Sequence, residues 1–150
     1  MKNPIVFLLL FVFILTSCIE KTNDYKNITV KDLQNEISRK MNFTEVNNIF
    51  VSKFKFNQPK ELMQAKENRT AYQYKGGKFY DIRCDNWVSS FNRNRLESIV
   101  ITIKDASIMD NSDIFNRLKS KLSNHDIQFD YDTDNARILL IYITEKTLLK

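Results

Sequence analysis

The spacing of hydrophobic residues along the chain predicts both helices and strands. Apolar residues recur at the helical period over 30–41 and again over 109–123. Thr29 followed by Asp32 has the form of a capping box before the first segment. Asp110 is placed to cap the second. We therefore expect a helix in each segment. The buried stripe of the second helix is expected to consist of Ile114, Phe115, Leu118 and Leu122.

The distribution of apolar residues predicts strands over 87–91, 96–104, 127–131 and 136–144. The last of these is apolar on both faces, so we expect it in the interior of the sheet. Within 96–104, one face is expected to carry Ile99, Ile101 and Ile103, and the other Leu96 and Val100.

Two turns are expected between strands. Gly76 and Gly77 are the only glycines in the chain. Adjacent glycines permit the positive φ angles of a tight hairpin, which would join strands at 71–74 and 79–82. A second turn is expected at 92–94.

The segment 44–56 has an ambiguous pattern. Its apolar positions fit a helix capped by Thr44, and Phe50, Phe54 and Phe56 also fit a strand. The favoured interpretation is a turn or short helix that leads into a strand over 49–56. Pro59 suits the first turn of a further short helix.

These elements predict an α+β fold with a mainly antiparallel sheet and helices packed on one face, in a single domain. Removal of residues 1–17 leaves 133 residues, which suits one hydrophobic core. Two successive βαββ units are an alternative arrangement, although the two halves share no sequence match.

The first 18 residues have a different character from the rest of the chain. A short start containing Lys2 precedes an unbroken apolar run of 11 residues, Ile5 to Leu15. A membrane-spanning helix needs roughly 20 residues, so this run is too short to span a bilayer. A charged start, a short apolar core and a small-residue exit are typical of a secretory signal peptide.

The exit from this run is Leu15-Thr16-Ser17-Cys18. It resembles the lipobox of bacterial lipoproteins, which consists of an aliphatic residue, two small residues and a cysteine. The resemblance implies cleavage before Cys18, lipidation of its thiol and acylation of the new amine. Two or more acyl chains hold a protein firmly on a membrane.

This resemblance sets the expected organisation and location of the chain. Residues 1–17 would be a cleaved signal peptide, residues 18–28 a lipidated tether, and residues 29–150 a small α+β domain. The expected location is the bacterial cell envelope. Because Ile19 rather than Asp follows the cysteine, the resemblance favours the outer membrane over the inner one.

Composition excludes several classes of function. The 23 basic residues exceed the 18 acidic residues only mildly, and a tethered, exported chain rarely meets nucleic acid, so no nucleic-acid partner is expected. Anionic lipid headgroups or a solvated lysine-rich surface explain this excess. With two glycines there is no phosphate-binding loop or dinucleotide fingerprint. No cofactor is predicted.

Catalytic and metal-binding patterns are weak. His125 is the only histidine, and Cys84 is the only partner with which it could form a nucleophilic pair. Asp130, Asp132 and Asp134 resemble the start of a calcium loop, but the glycine and the final glutamate of that loop are missing. We expect an acidic turn and no metal site there. Sequence alone selects no pair of catalytic carboxylates, and no enzymatic activity is predicted.

Aromatic residues are concentrated in the segment 72–91. One face of these strands belongs to the core, and the other offers contact area for a partner. The candidate partner surface consists of Tyr72, Tyr74, Tyr80 and Trp87, with Arg93 and Arg95 at its rim. We therefore expect a lipid-anchored, non-enzymatic module that binds an envelope or exported protein, as an accessory subunit or an immunity or inhibitor protein. A small-ligand carrier and a carboxylate-dependent envelope enzyme are the alternatives.

Overall fold

The computed structural model describes residues 25–63, 68–104, 113–132, 138–144 and 146–148. Within these residues the fold is a mixture of α and β structure with mainly antiparallel pairing. The strands are β1 (Asn27–Ile28), β2 (Lys60–Met63), β3 (Arg69–Lys75), β4 (Lys78–Phe79), β5 (Ile82–Arg83), β6 (Asn86–Asn92), β7 (Arg95–Lys104), β8 (Ile127–Asp132) and β9 (Ile138–Thr144). The helices are α1 (Val30–Glu36), α2 (Phe43–Asn48), a π-helical turn (Ile49–Lys53) and α3 (Asp113–Leu122).

The larger sheet has six strands in the order β2-β3-β6-β7-β9-β8, and every neighbouring pair is antiparallel. Its register aligns Tyr74, Trp87, Ile101 and Ile141 in one row across four strands. All four side chains are fully buried. The core therefore lies on this face of the sheet. The predicted interior position of the last strand is confirmed, because β9 lies between β7 and β8.

The smaller sheet brings the N-terminal end of the described chain onto the fold. β1 pairs in parallel with β4, and β4 pairs antiparallel with β5. Ile28 is fully buried, and Tyr25 packs against the core. Residues 25–28 thus belong to the folded part, and a tether extending to residue 28, as the sequence suggested, is too long.

Both N-terminal helices begin with capping boxes. The predicted box at α1 is confirmed: the Asp32 backbone N–H donates to Thr29 Oγ1 at 3.2 Å, and the Thr29 backbone N–H donates to Asp32 Oδ2 at 2.9 Å. At α2 the capping residue is Asn42, which pairs in the same way with Glu45. Thr44, the predicted cap, is the second residue of α2.

The strand expected over 49–56 is wrong, because the chain continues from α2 into the π-helical turn. Phe50 and Phe54 lie four residues apart, a spacing that places both on the same side of a helix, and both are fully buried. The short helix expected at Pro59 is also wrong, since β2 begins at Lys60 and forms one edge of the sheet. Tertiary pairing with β3 overrides the local preference here.

The glycine pair makes a turn, but not the predicted hairpin. Gly76 and Gly77 have φ angles of +77° and +107°, as the sequence suggested. However, β3 pairs with β2 and β6, whereas β4 pairs with β1 and β5. The Gly76 N–H donates to the Asp85 carbonyl at 2.7 Å, and the Cys84 N–H donates to the Gly77 carbonyl at 2.9 Å. The two glycines therefore begin a loop that carries β4 and β5, and their hydrogen bonds to Cys84 and Asp85 hold the two ends of this loop together.

The hairpin of β6 and β7 confirms the predicted turn at 92–94, with positive φ angles at Arg93 and Asn94. Phe91 pairs with Leu96, and Ser90 pairs with Ser98, so Glu97 is an extra residue in β7. This bulge turns Leu96 into the core, where it is 2% exposed. The expectation that Leu96 lies opposite the isoleucine face is wrong for this reason.

Helix α3 confirms the second helical prediction within residues 113–122. Phe115, Leu118 and Leu122 are buried, and Ile114 packs partly buried against the core. Phe115 contacts Phe129 of β8 edge-to-face, with ring centroids 5.9 Å apart. The predicted cap, Asp110, lies outside the described residues.

Candidate functional site

An open depression of about 1370 Å³ lies at the end of the larger sheet where β6 passes into β7. Five strands contribute to it at their near ends: β3, β6, β7, β8 and β9. The connection between α1 and α2 adds Arg39 and Lys40. The segment after β9 adds Lys146. The site is thus assembled from parts of the chain that are up to about a hundred residues apart.

Two backbone hydrogen bonds hold the outer segments against the β6–β7 hairpin. The Arg93 N–H donates to the Asn68 carbonyl at 2.8 Å, which fixes the start of β3 beside the turn. The Leu96 N–H donates to the Met41 carbonyl at 3.0 Å, which fixes the α1–α2 connection beside β7. The positions of Arg69 and Lys40 relative to the hairpin therefore follow from backbone contacts next to them in sequence.

The depression is strongly basic. Its acidic side chains are Glu97 and Asp126. Its basic side chains are Arg39, Lys40, Arg69, Arg93, Arg95 and Lys146. Six basic side chains thus line the depression against two acidic ones among the residues that the structure describes.

Internal ion pairing neutralises little of this charge. Arg69 Nη2 lies 3.7 Å from Glu97 Oε1, and both side chains are largely exposed. Exposed pairs of this kind contribute about 0–1 kcal/mol. Among the described residues, Arg39, Arg93 and Arg95 have no carboxylate within ion-pair distance. Their guanidinium groups remain open to an anionic ligand.

The residues of the predicted partner surface divide into a buried and an exposed group. Tyr74 and Trp87 are fully buried, so the surface cannot include them. Both residues lie on the core face of the larger sheet, where Phe50 stacks on Tyr74 with ring centroids 4.4 Å apart. Tyr74 Oη donates to Asn47 Oδ1 at 3.2 Å, and burial raises the pKa of the Tyr74 hydroxyl above its ordinary value.

Tyr72 and Tyr80 are half-buried and take part in packing. Tyr72 stacks on Phe43 of α2, with centroids 3.6 Å apart. Tyr80 contacts Phe79 edge-to-face, and Lys121 Nζ lies 5.4 Å from the Tyr80 ring centroid. The four aromatic residues therefore serve the core and its margin. These aromatic side chains were expected on the outer face of the sheet. Alternation along a strand shows that its two faces differ, but it does not show which face the rest of the protein covers.

Arg93 and Arg95, which the sequence suggested as rim residues of a partner surface, are exposed and line the depression. Sequence reasoning missed the four basic residues that join them, Arg39, Lys40, Arg69 and Lys146. None of these carries a local signal, since each is an isolated charge in a polar segment. Only the strand order and the two backbone contacts described above bring them together.

The Cys84–His125 pair is not formed. Cys84 follows β5 at the end of the sheet where β6 begins, and His125 precedes β8 at the end where the depression lies. The Cys84 thiol donates to the Ile82 carbonyl at 3.4 Å. Burial raises the pKa of this thiol to about 12, so it is protonated at neutral pH and unsuited to nucleophilic attack.

The weak calcium alternative falls largely outside the described residues. Asp130 is exposed on β8, while Asp134 and the side chain of Asp132 are not described. Within the part of the chain that the structure describes, no three His, Cys, Asp or Glu side chains come together as potential metal ligands.

The lipobox and Cys18 also lie outside the described residues. In the described ranges, each helix is too short or too polar to cross a bilayer. No family model matches the chain, and neither a curated protein nor a solved structure matches it.

Proposed function

We propose that this chain is a lipid-anchored protein of the bacterial cell envelope that binds another envelope or exported protein through the basic depression. The lipobox-like Leu15-Thr16-Ser17-Cys18 supports the anchor. The observation that carries the binding role is the concentration, among the described residues, of six basic side chains against two acids in one depression. A merely solvated lysine-rich surface would spread this charge.

The proposal includes a single domain whose helices cover one face of the larger sheet. Ring contacts support this arrangement. Phe43 of α2 contacts Tyr72, Phe50 of the π-helical turn contacts Tyr74, and Phe115 of α3 contacts Phe129. The three sheet residues lie on the same face, because their positions alternate consistently with the row of Tyr74 and Trp87. The depression then includes the other face of the sheet, at Asn92, Ser98 and Thr144.

β1, the first described strand, lies at the opposite end of the fold from the depression. It pairs with β4 beside the loop that follows Lys75, whereas the depression lies beyond Asn92. The intervening length of β6 is about 20 Å at 3.3 Å per residue. Residues 18–24 would add a tether of up to about 25 Å. Such a tether is long enough for the depression to meet a protein partner on either side of the anchored domain.

The two alternatives receive weaker support. A small-ligand carrier was expected to have a cavity between helices and sheet, whereas the depression described here is open at the sheet end. A carboxylate-dependent enzyme that acts at the depression would use Glu97 and Asp126, the two acids among the described residues that line it. Glu97 already pairs with Arg69. A substrate screen with Glu97→Gln and Asp126→Asn as controls would test this alternative.

The proposal is tested by affinity capture of the tagged full-length protein from gently solubilised envelopes, with Cys18→Ala in parallel. The charge-reversal variant Arg93→Glu/Arg95→Glu addresses the depression. Lys75→Glu/Arg83→Glu is the matched control, since both residues are exposed near the opposite end of the sheet. We expect one stoichiometric protein partner with the wild type and the control, and its loss with the arginine variant.

Two results would contradict parts of the proposal. Recovery of the same partner in equal amount by Arg93→Glu/Arg95→Glu would exclude the depression as the binding surface. Mass spectrometry that finds Cys18 without acyl chains in the wild type would exclude the lipid anchor. We expect instead that wild-type Cys18 carries acyl chains and that Cys18→Ala protein recovers less partner.

A further inference from the structure

We infer that the depression binds an extended, acidic segment of the partner polypeptide. This inference rests on the proposed function and specifies its partner. It follows from three properties of the site: the kind of basic side chain, the length of the site across the strand ends, and the polar groups that accompany the charges.

Arginine dominates the basic side chains. Four of the six are guanidinium groups, at Arg39, Arg69, Arg93 and Arg95. Guanidinium presents its N–H groups in a planar fork that matches both oxygens of a carboxylate, which an ammonium group does not. The four arginines therefore provide several separate forks, each of which can pair with one carboxylate or phosphate group.

The shape of the site suits an extended chain. The depression crosses the ends of β3, β6, β7, β9 and β8, which are neighbours in this order. Four spacings of about 4.8 Å between strands give a length of about 19 Å. An extended polypeptide covers this length with about six residues. Two or three acidic side chains on one side of such a segment would each meet a guanidinium group.

Uncharged polar groups accompany the arginines along the site. They are Asn68, Asn92, Ser98, Gln128 and Thr144. Amides and hydroxyls both donate and accept hydrogen bonds, so they can pair with the N–H and C=O groups of a peptide backbone. Phosphate or sulfate groups would need donors only. The mixture of donors and acceptors thus suits a polypeptide backbone better than isolated phosphate or sulfate ions.

Nucleic acid fits the site less well, because the described residues that line the depression include no aromatic side chain on which a base could stack. Competition by lipid vesicles distinguishes a membrane surface from a peptide.

The inference is tested with the full-length protein in neutral detergent and a fluorescent octapeptide of alternating glutamate and serine. Fluorescence anisotropy gives the Kd of the wild type, of Arg93→Glu/Arg95→Glu and of the Lys75→Glu/Arg83→Glu control. We expect the arginine variant to raise Kd by at least about tenfold and the control to change it by less than about twofold. Binding should weaken as salt is raised. Equal melting temperatures of the two variants establish that both remain folded.

Competition separates the possible anionic ligands. We expect an excess of unlabelled peptide to displace the probe more effectively than a sulfated polysaccharide or vesicles of phosphatidylglycerol at equal charge. A glycan or vesicle that competes better than the peptide would overturn the inference, as would equal binding of the peptide by both variants or no binding at all. The capture of a folded partner that depends on Arg93 and Arg95, without peptide binding, would leave the proposed function standing and remove only the extended acidic segment.

Discussion

The indole of Trp87 packs directly against Gly77. A Cβ at position 77 would lie 2.6 Å from Trp87 Nε1 and 2.7 Å from the ring of Phe56, closer than real Cβ atoms approach such neighbours. Both rings are buried, so neither has free space into which it can move. In addition, Gly77 has a φ of +107°, which a side chain at that position would make strained.

Gly77→Ala is therefore expected to lower the free energy of unfolding by about 2–4 kcal/mol, because backbone strain and overpacking act together. Urea unfolding followed by tryptophan fluorescence measures this loss directly. Lys78→Ala is the neighbouring control, since its exposed side chain should contribute within about 0.5 kcal/mol. A Gly77→Ala protein as stable as the control would contradict the packing of Trp87 described here.

Phe50 is a second residue whose substitution should strongly lower the stability of the fold. Its ring contacts four others, with centroid distances of 4.4 Å to Tyr74, 5.3 Å to Phe56, 5.5 Å to Phe54 and 6.0 Å to Trp87. Phe50→Ala should lower the free energy of unfolding by about 3–5 kcal/mol through the cavity that it leaves.

Ser52→Ala is a suitable control for Phe50, since Ser52 belongs to the same π-helical turn and is exposed. Its effect in the same urea titration should be small. If both variants lost similar stability, the π-helical turn rather than the aromatic packing would be the source of the effect.

The capping box of α1 predicts a dependence of stability on pH. Hydrogen bonds from Thr29 lower the pKa of Asp32 below its ordinary value, against the opposing effect of partial burial, and Lys26 lowers it further. Because the folded pKa lies below the unfolded one, the ionised carboxylate stabilises the fold above about pH 4. This contribution is lost as the pH falls through the folded pKa.

Thr29→Ala should accordingly cost about 0.5–2 kcal/mol at pH 7. The difference from the wild type should narrow as the pH falls from about 4 through the lower folded pKa of Asp32, because protonation of the carboxylate removes its contribution to the capping box. Thr44→Ala, an exposed first-turn threonine of α2 that is not a cap, should show no such change. Urea midpoints measured between pH 7 and 3 test this, and a constant Thr29→Ala difference would refute it.

The Cys84 thiol is expected to be inert in the folded protein. Burial raises its pKa to about 12, and only 2% of the residue is exposed. At pH 8, its alkylation should be at least roughly a hundredfold slower in the native protein than in urea, because the native thiolate fraction is very small. Cys84→Ser protein reports any reaction at Cys18. Rapid native alkylation that disappears in Cys84→Ser would contradict the buried position.

Local signals in the sequence predicted the elements whose stability is largely local. The capping pattern of Thr29 and Asp32 and the stripe of Phe115, Leu118 and Leu122 both appear in the structure. The strands β6, β7, β8 and β9 were also predicted, because β8 alternates regularly, β6 and β7 carry apolar residues at strand spacing, and β9 is apolar on both faces. The exception is Leu96, where a bulge at Glu97 changes which face a residue occupies without changing the composition of the strand.

Errors arose where tertiary pairing decides the structure. The glycine turn was placed correctly, but its flanking strands pair with β1, β2, β5 and β6 rather than with each other. The residues of the candidate site were likewise identified only where they are neighbours in the sequence. Arg93 and Arg95 share a turn and were identified, whereas Arg39 and Lys146 reach the depression only through the folded topology. Periodicity carries no information about such convergence.

The end-to-end separation of β1 and the depression also has a mechanical consequence. In an anchored protein that holds a partner, tension would enter near Asn27 and leave near Asn92, along the length of the strands of the larger sheet. Hydrogen bonds between antiparallel strands run perpendicular to that direction. These hydrogen bonds would be loaded in shear, so that many must break together. The sheet would therefore resist this tension better than a pull that separates the same strands one bond at a time.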